Sequence, residues 1–246
     1  MNQRKADVNL VTGTILPYVK TVLRHPRLMI HFYENKAEFI RRHVSIELRR
    51  AQSIYSLSVA TSLDETVRLY KKEIICYGNS YLYGICRNLK PHVVIETGVH
   101  YGASSAFILQ ALCDNNFGHL YSIDLPDVKY IRDNGKSHHD SIKPNHVGAA
   151  VPNELRGRWT LIIGDTKEKL PELLGTLESI DVFFHDSMHT YDHMYFEYKT
   201  AWSKLRTGGL LGSDDVFWNT AFLDFCHEKG VEPHVVEDTV FALKKA

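Results

Sequence analysis

From residue 92 onward the chain alternates short apolar runs with stretches of helical periodicity, and few architectures satisfy that alternation. The runs are HVVIE (92–96), HLYSID (119–124), WTLIIG (159–164), IDVFFHD (180–186) and GLLGSDD (209–215). Helical stretches fit between and after them at 103–114, 146–155, 167–174, 191–205 and 217–229. Strands apolar on both faces and separated by helices form a mostly parallel sheet covered on both sides. Two further runs, VEPHVV (231–236) and TVFAL (239–243), are too close together for a crossover helix and should pair antiparallel. The expected fold is therefore α/β, a seven-stranded, mostly parallel sheet with an antiparallel last strand. One stretch, LPDVKYIRDNGKSHHDSIKPN (125–145), is long and polar. A loop of that size in a compact domain is usually a lid, a binding loop or disordered.

The first 90 residues read as helical instead. Ile40, Val44 and Leu48 recur at four-residue spacing, and Ser62 with Glu65 forms a capping-box pattern ahead of Leu63, Val67 and Ile74. Tyr81, Leu82, Ile85 and Leu89 continue in that style up to Pro91. The chain thus divides into an N-terminal helical region, 1–90, and an α/β domain, 91–246. Charge divides the same way. Residues 1–90 carry 15 Lys and Arg against 7 Asp and Glu, residues 91–246 carry 14 against 22, and the total is zero. Such a split can mark a basic interaction surface, but no aromatic-and-basic module accompanies it. Solvated helical faces, or a match between opposite halves, are favoured over nucleic-acid binding.

A composition of 44% hydrophobic and 24% charged residues excludes a disordered chain and a fibre. No apolar run approaches the roughly 18 residues of a membrane span, and the first residues lack the pattern of a secretory signal. The four cysteines show neither CxxC nor zinc spacing, which fits a reducing, cytoplasmic location.

In an open parallel sheet, ligands bind beyond the carboxyl ends of the strands, so the residues that follow each strand are the site candidates. After the first comes ETGVHYGASS, with Gly98 and Gly102 flanking a strand-to-helix turn. Glycines there let backbone approach a ligand, although such a turn can also be a mere tight connection. Asp124 follows the second strand at a distance that suits a ribose hydroxyl pair, or it is a turn acid before Pro126. Asp165 follows the third and can cap the next helix, lie over a nucleotide's adenine edge, or both. Asp186 follows the fourth, and Asp214 and Asp215 the fifth. If those strands are neighbours, three carboxylates converge, and all-oxygen ligation suits Mg²⁺, Mn²⁺ or Ca²⁺. Otherwise they are helix caps. His185, His189 and His193 would share a face only on one continuous helix, and His185 belongs to the strand, so zinc is disfavoured. His189, three residues past Asp186, has the intrinsic pKa of a proton acceptor, or it merely starts a helix.

Taken in order, ETGVHYG, YSID, GD with LPELL after it, HDSMHTYD and LRTGGLLGSDDVFW resemble class I S-adenosylmethionine-dependent methyltransferases. More narrowly they resemble the metal-dependent O-methyltransferases of the catechol and macrocin type and the related cephalosporin-hydroxylase-like group. The resemblance covers roughly residues 90–245 and implies a Rossmann-like fold. It implies that the turn of Glu96, Thr97, Gly98 and Gly102 holds the methionine part of S-adenosyl-L-methionine, with Ser104 near its carboxylate. Asp124 would take the ribose hydroxyls and Asp165 would lie by the adenine. Asp186, Asp214 and Asp215 would hold Mg²⁺ (or Mn²⁺ or Ca²⁺), and His189 falls at the family's proton acceptor. Thr97 and Val99-His100 depart from the small or Gly-rich residues commoner in that turn.

The expected activity is methyl transfer to a hydroxyl of a small molecule. The rivals are an NAD-dependent oxidoreductase, against which the glycine spacing argues, a non-catalytic cofactor-binding module, and a nucleic-acid methyltransferase using the basic half. The expected partner is a hydroxylated small-molecule substrate, with no membrane and with homo-oligomer contacts through the N-terminal helices.

Overall fold

The computed structural model describes residues 80–139, 142–236 and 239–245. The helical readings built on residues 40–48 and 62–74 lie outside the described residues. In chain order the elements are α1 (Ser80–Leu89), β1 (Val93–Thr97), α2 (Ala103–Asn115), β2 (His119–Asp124), β3 (Lys129–Ile131), β4 (Ser137–His139) and β5 (Trp159–Ile163). They continue with α3 (Thr166–Thr176), β6 (Ile180–His185), α4 (Tyr191–Lys204), β7 (Leu205–Ser213), α5 (Ala221–Lys229), β8 (Pro233–Val236) and β9 (Thr239–Leu243).

Seven strands form one sheet in the order β5-β2-β1-β6-β7-β9-β8. β1, β2, β5, β6 and β7 pair parallel. The last strand, β9, runs antiparallel to both of its neighbours, β7 and β8. The sheet is the seven-stranded, mostly parallel α/β arrangement with a reversed last strand that the apolar runs imply. From β1 the chain winds outward through β2 to β5, then crosses back to β6 on the other side of β1. That reversal opens a crevice beyond the carboxyl ends of β1 and β6.

Successive strand residues point to opposite faces, so each strand feeds two cores. Val94, Val182 and Phe184 pack on one face with α1 and α2, against Leu82, Ile85, Phe107 and Ile108. Ile95, Phe183 and Leu211 pack on the other with α3, α4 and α5, against Leu170, Met194, Tyr198 and Phe222. Each large apolar side chain buried here contributes about 1.5–3 kcal/mol relative to leaving it exposed. α1 is part of the first core, with Leu82, Tyr83, Ile85 and Cys86 buried in it. Cys86, Cys113 and Cys226 are free thiols. Among the described residues, no helix is long and apolar enough to cross a membrane.

Three local readings need correction. Residues 146–155 do not form an α-helix; they run from the end of a short 3-10 segment, Pro144–His146, through turns into a second, Asn153–Arg158. Gly148 explains this. Its φ is +68°, and a Cβ on it would fall 2.1 Å from the Trp159 ring, so the chain needs a turn at that point. The helix placed at 217–229 is split, with a 3-10 turn at Val216–Trp218 ahead of α5. The polar stretch 125–145 contains a hairpin, β3 paired antiparallel with β4, around Asn134-Gly135. Asn-Gly favours positive φ in hairpin turns, and Gly135 has φ +79°.

Candidate active site

The sheet topology sets the site. Thr97 of β1 lies opposite His185 of β6, and His185 lies opposite Ser213 of β7. The next residues are therefore neighbours across three strands: Gly98, Asp186 and Asp214. Backbone hydrogen bonds extend the ladders past the strand ends, from Asp186 N–H to Thr97 O at 2.8 Å and from Asp214 N–H to His185 O at 2.9 Å. Gly98 (φ +80°) lies so close to Asp186 that a Cβ would fall 2.0 Å from its carbonyl oxygen. Above this rim lies a cavity of about 490 Å³, lined by Gly98, Asp124, Asp165, Asp186, His189, Asp214 and Asp215 among others.

The glycine turn is held by its acids in an unexpected way. Asp124, 5% exposed, accepts the N–H groups of Val99 (2.6 Å) and His100 (2.9 Å) through one carboxylate oxygen. It thus clamps the turn while also lining the cavity. Asp165 caps α3, accepting the Lys167 N–H at 2.8 Å, and lines the cavity as well. Both roles read for Asp165 are open to it at once.

Glu96, Thr97, Gly102 and Ser104, placed by the resemblance at the cofactor, do not line the cavity. Glu96 is fully buried and accepts hydroxyls from Ser104, Ser105 and Ser122 at 2.5–2.7 Å. Burial raises its pKa, against the pull of those three hydroxyls. The carboxylate ties β1 to β2 and to the first turn of α2, so it props the turn from behind. Ser104 is engaged in the same bond. Thr97 donates its hydroxyl to Glu197 at 2.5 Å. Gly102 faces Val151 and Gly148.

On the other side of the cavity the acids surround His189. His189 Nε2 lies 3.7 Å from Asp186 Oδ1, and Nδ1 lies 4.0 Å from Asp215 Oδ2. The imidazole is 8% exposed, and its Nε2 is buried without a hydrogen-bond partner. Burial first, then the nearby His185 and Arg132, hold its pKa well below the ordinary value. At neutral pH the ring is therefore uncharged and able to accept a proton. The Asp186 carboxyl is pushed well above the usual range, first by desolvation and then by the charges of Asp214 and Asp215. Its side chain is still 35% exposed. The crowding of like charge is thus part of the site and not a product of burial alone.

Such a donor set, all oxygen and mutually repelling, suits a hard divalent cation in chemical type. Among the described residues, no three His, Cys, Asp or Glu side chains are drawn together as a metal-holding group. His189 lies between Asp186 and Asp215 instead.

The histidines at 185 and 193 serve another purpose. Glu197 of α4 is fully buried and accepts from His185 Nδ1 (2.7 Å), His193 Nε2 (2.8 Å), Ser187 Oγ (2.9 Å) and Thr97 Oγ1. Burial alone would raise its pKa, but His185 and then His193 hold it well below the usual value. This network lies directly behind the rim, and His185 meets His189 edge to face at 5.3 Å. The spacing of His193 and Glu197, four apart on one helix face, was the legible part of it.

The polar stretch 125–145, read from its length as a lid, a binding loop or disorder, supplies the cavity's roof. Tyr130, Arg132, His138 and His139 of the β3–β4 hairpin line it. The hairpin is tethered by the Tyr191 N–H donating to Asp133 at 2.8 Å and by Arg132 stacked 3.9 Å over the Trp218 ring.

Comparison with known proteins agrees with this geometry. Residues 95–216, about half of the chain, match the family described as "Methyltransferase domain". A search of curated proteins finds no match. Among solved structures, the S-adenosylhomocysteine-bound methyltransferase PaMTH1 of Podospora anserina superposes with a TM-score of 0.53 at 15% identity, over 82% of this chain and 97% of that one. The O-methyltransferase TomG of Streptomyces achromogenes, solved with S-adenosylmethionine, gives 0.52 at 15% identity over 86% and 96%. At such identities the likeness is one of fold. With strand order, switch-point cavity and family match in agreement, the chain belongs to the class I S-adenosylmethionine-dependent methyltransferases.

Proposed function

We propose that this methyltransferase acts on oxygen, moving a methyl group from S-adenosylmethionine to a hydroxyl of a small molecule, with Mg²⁺ (or Mn²⁺ or Ca²⁺) held by Asp186, Asp214 and Asp215. One observation carries the reading. A single cavity joins the glycine turn and Asp124 on one wall to three carboxylates and a neutral histidine on the other. The fold neighbour TomG is named an O-methyltransferase, which agrees with it.

The turn at Gly98–His100, fixed by Asp124, would receive the cofactor, with Asp124 toward the ribose and Asp165 toward the adenine. Glu96, Thr97 and Ser104 would support that turn from behind, and Gly102 would let it close against Gly148. The cofactor supplies an electrophilic methyl on a sulfonium, and the cation supplies Lewis acidity that lowers a bound hydroxyl's pKa. His189 Nε2, buried and without a hydrogen-bond partner, would accept the hydroxyl proton. Asp215 near Nδ1 would steady the ring and favour its protonated form. Position and electrostatics then supply most of the rate, because the protein forms no covalent bond in this transfer. The free thiols Cys86, Cys113 and Cys226 among the described residues are in keeping with a reducing, cytoplasmic setting.

A second reading rests on His189 lying between Asp186 and Asp215. In it the histidine, flanked by two carboxylates, is the whole proton-handling device and no metal is needed. An assay of methyl transfer to a panel of hydroxylated acceptors, in excess EDTA and after restoring Mg²⁺, separates the two. Loss of activity in EDTA and its return with Mg²⁺ is the expected outcome. Full activity in EDTA contradicts the metal role and supports His189 acting alone.

A further inference from the structure

The cavity is lined by five aspartates, yet its roof carries a guanidinium. Arg132 is the only Lys or Arg among the described residues lining the cavity. No carboxylate of the described residues pairs with it. Its terminal nitrogen instead donates to His138 Nδ1 at 2.8 Å, and its plane stacks on Trp218. Its Nε is buried with no hydrogen-bond partner. An arginine is always protonated and has no acceptor atom, so a buried, unanswered N–H on it is costly unless a ligand answers it. The bond at His138 Nδ1 also fixes that ring as the Nε2–H tautomer, a second donor.

The location separates this group from the cofactor side. Arg132 rests on Trp218, three residues beyond Asp215, and its hairpin neighbour Tyr130 accepts the His189 N–H at 3.5 Å. The glycine turn, Asp124 and Asp165 belong to the opposite wall, at β1, β2 and β5. We propose that Arg132, with His138 beside it, binds a carboxylate on the methyl-accepting substrate, which is thus a hydroxylated carboxylic acid. This rests on the methyltransferase reading of the cavity. Guanidinium and carboxylate match in planar, two-point geometry. A single negative charge is also better tolerated than a phosphate dianion in a site that holds five aspartates. The hairpin carries Arg132 over the acceptor wall.

The test uses the full chain saturated with S-adenosylhomocysteine, with affinities read by ligand-observed NMR. The probes are matched pairs: salicylate with salicyl alcohol, gallate with pyrogallol, lactate with propylene glycol. Glycerate with glycerol phosphate forms the charge control. In at least one pair the carboxylate is expected to bind about tenfold or more tighter, the range of a charge-assisted hydrogen bond. Arg132→Gln should abolish that preference and Arg132→Lys should keep part of it, both with unchanged S-adenosylhomocysteine affinity and melting temperature within a few degrees. Three results overturn the assignment: no carboxylate bound above its neutral partner in any pair, glycerol phosphate bound above glycerate, or a preference that survives Arg132→Gln. Failure of the wild type to bind S-adenosylhomocysteine would overturn the underlying reading of the cavity, a separate outcome from the first three.

Discussion

Replacing Asp214 with Ala is expected to cut methyl transfer by about 10²–10⁴, while S-adenosylhomocysteine affinity stays within about threefold. The factor corresponds to the several kcal/mol that a correctly held cation contributes to transition-state charge. Asp214 follows Ser213 at the end of β7, and its N–H bond to the His185 carbonyl places the residue next to Asp186 at the rim, near enough for its charge to act on the Asp186 carboxyl. It has no part in the glycine turn, which is clamped by Asp124. Its removal also takes away a like charge that pushes the Asp186 carboxyl upward. The variant should therefore melt at the wild-type temperature or slightly above. A purely structural Asp214 would give the reverse pattern, with lower stability and proportionate losses in binding and rate. Single-turnover rates, calorimetric S-adenosylhomocysteine binding and thermal melts on one preparation distinguish the two.

The second large effect is on stability. Glu197→Gln should destabilise the fold by about 3–5 kcal/mol, the range for breaking a buried, hydrogen-bonded ionic group by removing one partner. The wild-type carboxylate takes bonds from four side chains contributed by β1, the end of β6, the loop after it and α4. Glutamine offers one acceptor oxygen and brings two donors into a site already full of donors. The pH dependence follows in sign from the depressed folded-state pKa. Glu197's contribution is fully present above its unfolded value, about 4.3, and is lost as pH falls through the lower folded value. The gap between wild type and Glu197→Gln in denaturant midpoint should therefore be widest near neutral pH and shrink below pH about 4. A gap that stays constant down to acid would mean that Glu197 is not held as the charged form.

Much of the frame was legible because strands buried on both faces leave little ambiguity. HLYSID and TVFAL coincide with β2 and β9, and the other main strands shift by only a few residues. The same holds for the rim, because a residue that follows a parallel strand must emerge at the sheet's carboxyl edge. Gly98, Asp124, Asp165, Asp186, Asp214 and Asp215 could be placed together on that ground alone. What escaped depends on which way a side chain turns once it arrives. Glu96 looked like a ligand because it precedes the glycines, but three serines from α2 and β2 draw it inward. Glu197 and Thr97 bond across 100 residues of sequence, and no local period records such a pairing. The roof segment 125–145 stood out by its length and polarity, but its hairpin form did not, since β3 and β4 bury little and follow no apolar alternation. Asn134-Gly135 is the local signal for the hairpin turn.

The most direct measurement is anomalous diffraction from crystals grown with S-adenosylhomocysteine and Mn²⁺. The expected map has the cofactor product against the Gly98–His100 turn with its ribose toward Asp124. It also has one manganese peak within ligand distance, roughly 2.0–2.3 Å, of Asp186 and Asp214 oxygens, beside His189. A cofactor product bound at the turn with no manganese at the aspartates would contradict the metal-assisted mechanism. Product bound away from the turn would contradict the placement of the methyl-transfer site itself.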